Sequence, residues 1–165
     1  MFDQETLKLA TALIEKCVER NLTIATVESC TGGLIGGAIT AVPGSSAIFD
    51  RGYITYANEA KTELVGVPSG FFVRGNVGAV SEETARAMAE GALAHSTVDA
   101  AVAVTGVAGP NADDNAKPAG LVHIAAARRG HATLSKKNNF SGGRDEVRMA
   151  SVNEALRMLT DLVSR

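Results

Sequence analysis

The chain has 165 residues, 45% hydrophobic and 21% charged, a balance that fits one globular domain and excludes a disordered chain. Its net charge of −2 lacks the basic excess of a protein built to hold a nucleic-acid backbone. No apolar run reaches the roughly 20 residues needed to span a bilayer and no signal-peptide pattern opens the chain, so a cytoplasmic protein with no membrane partner is expected. In chain order, Leu7, Ala10, Leu13, Ile14 and Cys17 recur at helical spacing and predict an amphipathic helix over 3–20, stopped at Asn21. Thr23–Glu28 is short, β-branched and apolar, a strand, and Cys30-Thr31-Gly32-Gly33 breaks it. A helix over Leu34–Val42 ends at Pro43-Gly44-Ser45-Ser46. Ile48–Tyr56 alternates as a second strand, and Asn58 is the expected N-cap of a helix over 59–65. Residues 67–80 are Gly-rich and irregular. Ser81 then caps a helix whose apolar face is Ala85, Met88, Ala89, Ala92 and Leu93. Asp99–Thr105 is a continuous apolar run suited to a strand buried on both faces. A polar loop spans 106–119, strands follow over 121–127 and 132–140 with a turn at Arg129-Gly130, and a helix over 144–163 closes the chain. This order predicts a single-domain α/β/α sandwich with a mixed central sheet over residues 1–165.

Two cysteines, Cys17 and Cys30, make no disulfide framework and read as reduced thiols. His95, His123 and His131 are far apart and match no zinc spacing, so no metal and no cofactor is expected. The basic pairs Arg128-Arg129 and Lys136-Lys137 read as solvated strand ends. An Ala-rich domain with apolar helix faces is compatible with a homo-oligomer.

Four segments could carry chemistry. In Val27-Glu28-Ser29-Cys30-Thr31-Gly32-Gly33, Ser29 falls where a strand hands over to a helix, and the amides that follow could hold an anion or a developing oxyanion. Ser29 reads as a nucleophile, a helix cap or a phosphate contact, and position alone favours the cap. The segment is neither GxSxG, GxGxxG nor a P-loop. Cys30 competes for the nucleophile role, because a thiol at a helix start has a lowered pKa; its plain alternative is a small buried residue. In Tyr53-Ile54-Thr55-Tyr56-Ala57-Asn58-Glu59-Ala60-Lys61, a cap at Asn58 would put Lys61 at the third helical position. The helix dipole depresses a lysine there only slightly, and burial would have to supply the rest of what makes it a base. An exposed helix lysine and a half-buried strand tyrosine, Tyr56, are the plain alternatives. Thr105-Gly106-Val107-Ala108-Gly109-Pro110 follows the most buried strand, at the end where α/β sheets gather ligands. Arg144, after Phe140-Ser141-Gly142-Gly143, could clamp a phosphate or carboxylate, or be solvated.

Taken in order, ESCTGG, VPGSS, GYITYANEAK, TGVAGP with KPAG, and FSGGR resemble the C-terminal domain of the competence/damage-inducible protein CinA, over nearly the whole chain. Stand-alone versions of that domain are nicotinamide-nucleotide amidases. The resemblance implies an amide hydrolase that converts nicotinamide mononucleotide to nicotinate mononucleotide and ammonia, recycling pyridine nucleotides. It implies Ser29 as nucleophile, Tyr56 and Lys61 as its catalytic partners, and Thr105, Gly106 and Arg144 in the substrate pocket; backbone N–H groups around Cys30, Thr31, Gly32 and Gly33 are then expected to stabilise the oxyanion. The chain departs from the family at Gly143, where an acidic residue is common, and at Asn111-Ala112-Asp113-Asp114-Asn115, where the family is usually Gly-rich. The alternatives are a non-catalytic nucleotide- or phosphate-binding module and an amidase that uses Cys30.

Overall fold

A computed structural model describes residues 1–165. Helix α1 (Gln4–Arg20) opens with Asp3, whose carboxylate accepts the Thr6 N–H at 2.8 Å. It stops at Asn21, which takes the left-handed conformation. Then come β1 (Ile24–Glu28), α2 (Leu34–Thr40), β2 (Phe49–Ile54) and α3 (Asn58–Val65). They are followed by α4 (Glu82–Ala94), β3 (Ala100–Gly106), β4 (Leu121–Arg128), β5 (Leu134–Asn139) and α5 (Arg144–Val163). A single 3-10 turn, Ser69–Phe72, interrupts the irregular stretch 67–80.

The sheet runs β2-β1-β3-β4-β5. Its first three strands are parallel and the last two pairings antiparallel, so the sheet is mixed. Helices cover both faces, an α/β/α sandwich. On one face α1, α2 and α5 close over Ile24, Val102, Val104, Val122 and Ile124. On the other, α3 and α4 lie on Ala25, Ala101, Ala103, Ala125 and Ala127. With so few aromatics, small residues set the spacing of this second layer, and α4 meets the sheet through Ala85, Ala89 and Ala92. The α3–α4 contact is closest at Gly91, where a Cβ would stand 1.9 Å from the Val65 carbonyl oxygen.

The pair Arg128-Arg129 stands at a strand end and turn as expected, Arg128 half-buried and Arg129 exposed, but both guanidiniums are engaged by carbonyls. Neighbours on a strand project to opposite faces, and each guanidinium finishes the helix on its side. Arg128 donates to the Leu162 and Arg165 carbonyls at the end of α5. Arg129 donates to the carbonyls of Leu93, in the last turn of α4, and of Ser96 and Val98 beyond its end. Both supply donors and positive charge where a helix leaves carbonyls unpaired. Lys136 and Lys137 lie on the edge strand β5, where Lys136 pairs with Glu154. No helix is long and apolar enough to cross a membrane.

Candidate active site

Because β1, β2 and β3 are parallel, their carboxyl ends open on one side of the sheet. Ser29 follows β1, Thr55 and Tyr56 follow β2, and Thr105 and Gly106 finish β3. These ends border a cavity of about 360 Å³, also lined by Cys30, Lys61 and Arg144. Thr31, Gly32 and Gly33 are outside that lining.

Lys61 arrives from α3. The cap of that helix is Ala57, not Asn58, so Lys61 occupies the fourth helical position rather than the third. Its side chain is only 1% exposed. Nζ lies 2.7 Å from the Thr55 carbonyl oxygen, 3.2 Å from that of Tyr56 and 3.1 Å from Ser29 Oγ. No carboxylate pairs with it. Burial therefore lowers its pKa from 10.5 to about 8, against weaker opposing pulls from Cys30 and Glu59.

The turn after Ser29 has its polar groups divided between two opposite charges. Glu28, 1% exposed, accepts the N–H groups of Gly33, Ile35 and Gly36, together with the Thr26 hydroxyl. It is the N-terminal anchor of α2, a role Gly33 cannot fill because it has no side chain; the chain enters α2 through Gly33 at φ 102°. From α5, Arg148 donates Nε–H to the Cys30 carbonyl at 3.1 Å and Nη2–H to the Thr31 carbonyl at 3.3 Å. The Ser29 N–H goes to the Val104 carbonyl, and Gly32 N–H to that of Ser29. Gly32 and Gly33 thus have no amide to offer a ligand, and only the N–H groups of Cys30 and Thr31 find no acceptor on another residue. Neither Glu28 nor Arg148 was given a role by the sequence. Arg148 did leave a signal, since it stands four residues after Arg144 and so on the same face of α5.

The remaining candidates differ in how they meet the cavity. The Tyr56 hydroxyl is 3.4 Å from Arg144 Nη2 and makes no hydrogen bond with Ser29 or Lys61; it is the Tyr56 main chain that touches Lys61. Arg144 also donates to the Gly109 carbonyl at 2.6 Å. Thr105 is turned away from solvent, 1% exposed, with its hydroxyl on the Ala79 carbonyl. That contact belongs to a series. Lys117 binds the Val77 and Val80 carbonyls, and Ser81 and Thr84 bind that of Gly78, so every carbonyl from 77 to 80 is held by a side chain. Gly78, Ala79 and Val80 form one wall of the cavity. Asn111, Asp113, Asp114 and Asn115 border it too, and Gly143 is the N-cap of α5. The Cys30 thiol is pushed up to about 11, chiefly by burial. No group of His, Cys, Asp and Glu side chains is arranged to hold a metal.

A family model described as the CinA C-terminal domain matches residues 6–163. A nicotinamide-nucleotide amidohydrolase PncC of Pseudomonas putida is 49% identical over 154 residues, covering 93% of this chain and 94% of that protein. A CinA-like protein of Syntrophus aciditrophicus is 48% identical over 158 residues, 95% of this chain but 36% of its own length. The chain spans only 36–38% of several longer relatives it matches. The solved structure of competence/damage inducible protein CihA from Agrobacterium tumefaciens superposes with a TM-score of 0.93 at 43% identity, covering 100% of this chain and 99% of that one. With a family model matched from the first helix to the last and full-length similarity in both sequence and structure, this chain belongs to the CinA C-terminal domain family.

Proposed function

We propose that the 165 residues act as one catalytic domain, an amide hydrolase that deamidates nicotinamide mononucleotide to nicotinate mononucleotide and ammonia. The substrate follows the Pseudomonas putida relative, which the chain matches over nearly all of both lengths. The observation that carries the chemistry is the buried Lys61 amine against Ser29 Oγ. A neutral amine has two N–H groups and one lone pair. With the N–H groups given to the Thr55 and Tyr56 carbonyls, the lone pair is left for the Ser29 hydroxyl. A pKa near 8 keeps an appreciable neutral fraction around neutral pH, as a general base needs.

In this reading Lys61 takes the Ser29 proton as Oγ attacks the carboxamide carbon. The carbonyl oxygen becomes an oxyanion facing the Cys30 N–H group. The C–N bond breaks, the nitrogen takes the proton from Lys61, and ammonia leaves an ester on Ser29. Water attacks that ester, giving its proton to Lys61 and then to Ser29, and nicotinate mononucleotide departs. Tyr56 and Arg144, paired at the cavity's edge, contact the substrate rather than the Ser29 proton. The raised Cys30 thiol argues against a cysteine amidase, because it is the thiolate that attacks.

Ammonia release from nicotinamide mononucleotide by wild type, Ser29→Ala and Cys30→Ala tests this. Turnover lost only in Ser29→Ala is expected. Binding without release in the wild type would favour the non-catalytic module, and loss in Cys30→Ala alone would move the nucleophile.

A further inference from the structure

The amide that would face the oxyanion is identified by what the others are doing. Ser29, Gly32 and Gly33 N–H groups are all committed within the protein; those of Cys30 and Thr31 bond to no other residue, and of these two residues only Cys30 lines the cavity, Thr31 being fully buried. In a trans peptide the C=O and N–H point in opposite directions. The Cys30 carbonyl belongs to the peptide unit that follows Cys30, so whatever grips it fixes the Cys30 backbone from that side. That grip is Arg148 Nε–H at 3.1 Å, and Nη2–H holds the next carbonyl, Thr31, at 3.3 Å. The guanidinium is planar, so two donors in a fixed fork set the orientation of both peptide units. It is also permanently charged, and Arg148 forms no salt bridge with any carboxylate of the chain.

We infer that Arg148 is a positioning residue for acyl transfer at Ser29: from behind the turn it holds the Cys30 backbone so that its N–H meets the developing oxyanion. The inference rests on the Ser29 reading above but not on the identity of the substrate. Arg148 does not line the cavity, so it acts through the peptide and not by touching substrate. Its effect should therefore fall on the chemical step and spare ground-state binding.

The test compares wild type with Arg148→Lys and Arg148→Met by two readouts. One is kcat and KM for ammonia release from nicotinamide mononucleotide. The other is the rate of Ser29 labelling by a fluorophosphonate, read by mass spectrometry; charge develops on the phosphoryl oxygen, and no nicotinamide group is needed. Arg148→Met is expected to slow both by about 30-fold, less than the 10²–10³ typical of losing an oxyanion donor outright. KM should stay within about threefold, because binding is not the step affected. Arg148→Lys, which keeps the charge but not the fork, should fall between. A thermal midpoint near wild type in both variants separates this from a folding defect. Wild-type kcat and labelling in Arg148→Met, or a loss carried entirely by KM, overturns the inference. A wild type that does not label at Ser29 overturns it as well. Labelling that slows in Arg148→Met while the wild type releases no ammonia rejects the proposed substrate and upholds the role of Arg148.

Discussion

Glu28, at the end of β1, and Lys61, on α3, are equally sealed, each 1% exposed, yet the protein treats them oppositely. Glu28 is saturated: three amides and a hydroxyl fill its two oxygens, and no part of it faces the cavity. Lys61 has two carbonyls and a serine hydroxyl but no counter-charge, and it opens on the cavity. A buried charge is tolerable when it is fully paired and hydrogen-bonded. Glu28 meets that condition and serves the architecture, holding α2 against β1. Lys61 meets it only in part, and the shortfall is what lowers its proton affinity toward the range where it can exchange a proton with Ser29.

Substitutions that remove each charge should separate the two roles. The largest effect is expected from Lys61→Met: ammonia release falls by on the order of 10³-fold, within the range for losing a general base. Ser29→Ala should cost as much, and the double variant little more than either, because the two groups work as a unit. Full additivity in that cycle would break the pairing.

The next effect is one of pH. The Lys61 pKa is about 8 folded and 10.5 in an unperturbed lysine. Below pH 8 both states hold the proton and the cost of burying the cation is present in full. Between 8 and 10.5 the folded amine is neutral and the unfolded one still charged, so unfolding takes up a proton and stability rises with pH. Measured against Lys61→Met by urea unfolding, wild type should gain about 3 kcal/mol across that window. A flat difference would mean that Lys61 keeps its proton when folded. In parallel, kcat/KM should climb with pH and level off above about 8.

Glu28→Gln should act in the opposite sense on stability. It replaces one carboxylate oxygen with an NH2 group that cannot accept, and is expected to cost about 2 kcal/mol by chemical denaturation. Stability unchanged in this variant would mean the α2 amides find other partners. The smallest effect is expected at Thr55. Its carbonyl holds Lys61, while its buried hydroxyl has no hydrogen-bond partner. Thr55→Val should leave turnover within about twofold and change stability by less than about 1 kcal/mol, since an unpaired buried hydroxyl contributes little that a methyl does not.

Much of the fold was legible because periodicity and caps act locally. The Asn21 stop, the Ser81 cap and the α5 span all follow from neighbouring residues. The site was legible where a motif sat at a strand end, as at Ser29 and Thr105. What escaped depends on partners distant in the chain. The carbonyl contacts of Arg128 and Arg129 went unread because every one of them lies more than 30 residues away in sequence. Arg148 reaches a turn 117–118 residues upstream. The error at Asn58 was local: a good capping side chain stands one position inside the helix, and Ala57 takes the extended backbone of the cap without a side-chain bond. The Thr105 hydroxyl, which the strand-end rule offered to a ligand, is spent on the 77–80 wall.

That wall has a consequence for how the cavity breathes. Lys117 belongs to the loop after β3, yet its ammonium is fastened to carbonyls of the segment before α4. Releasing that ammonium removes a direct link between the two sides, while Thr105, Ser81 and Thr84 still hold the Gly78 and Ala79 carbonyls, so amide hydrogens of the loop after β3 should exchange sooner than those of the 77–80 segment.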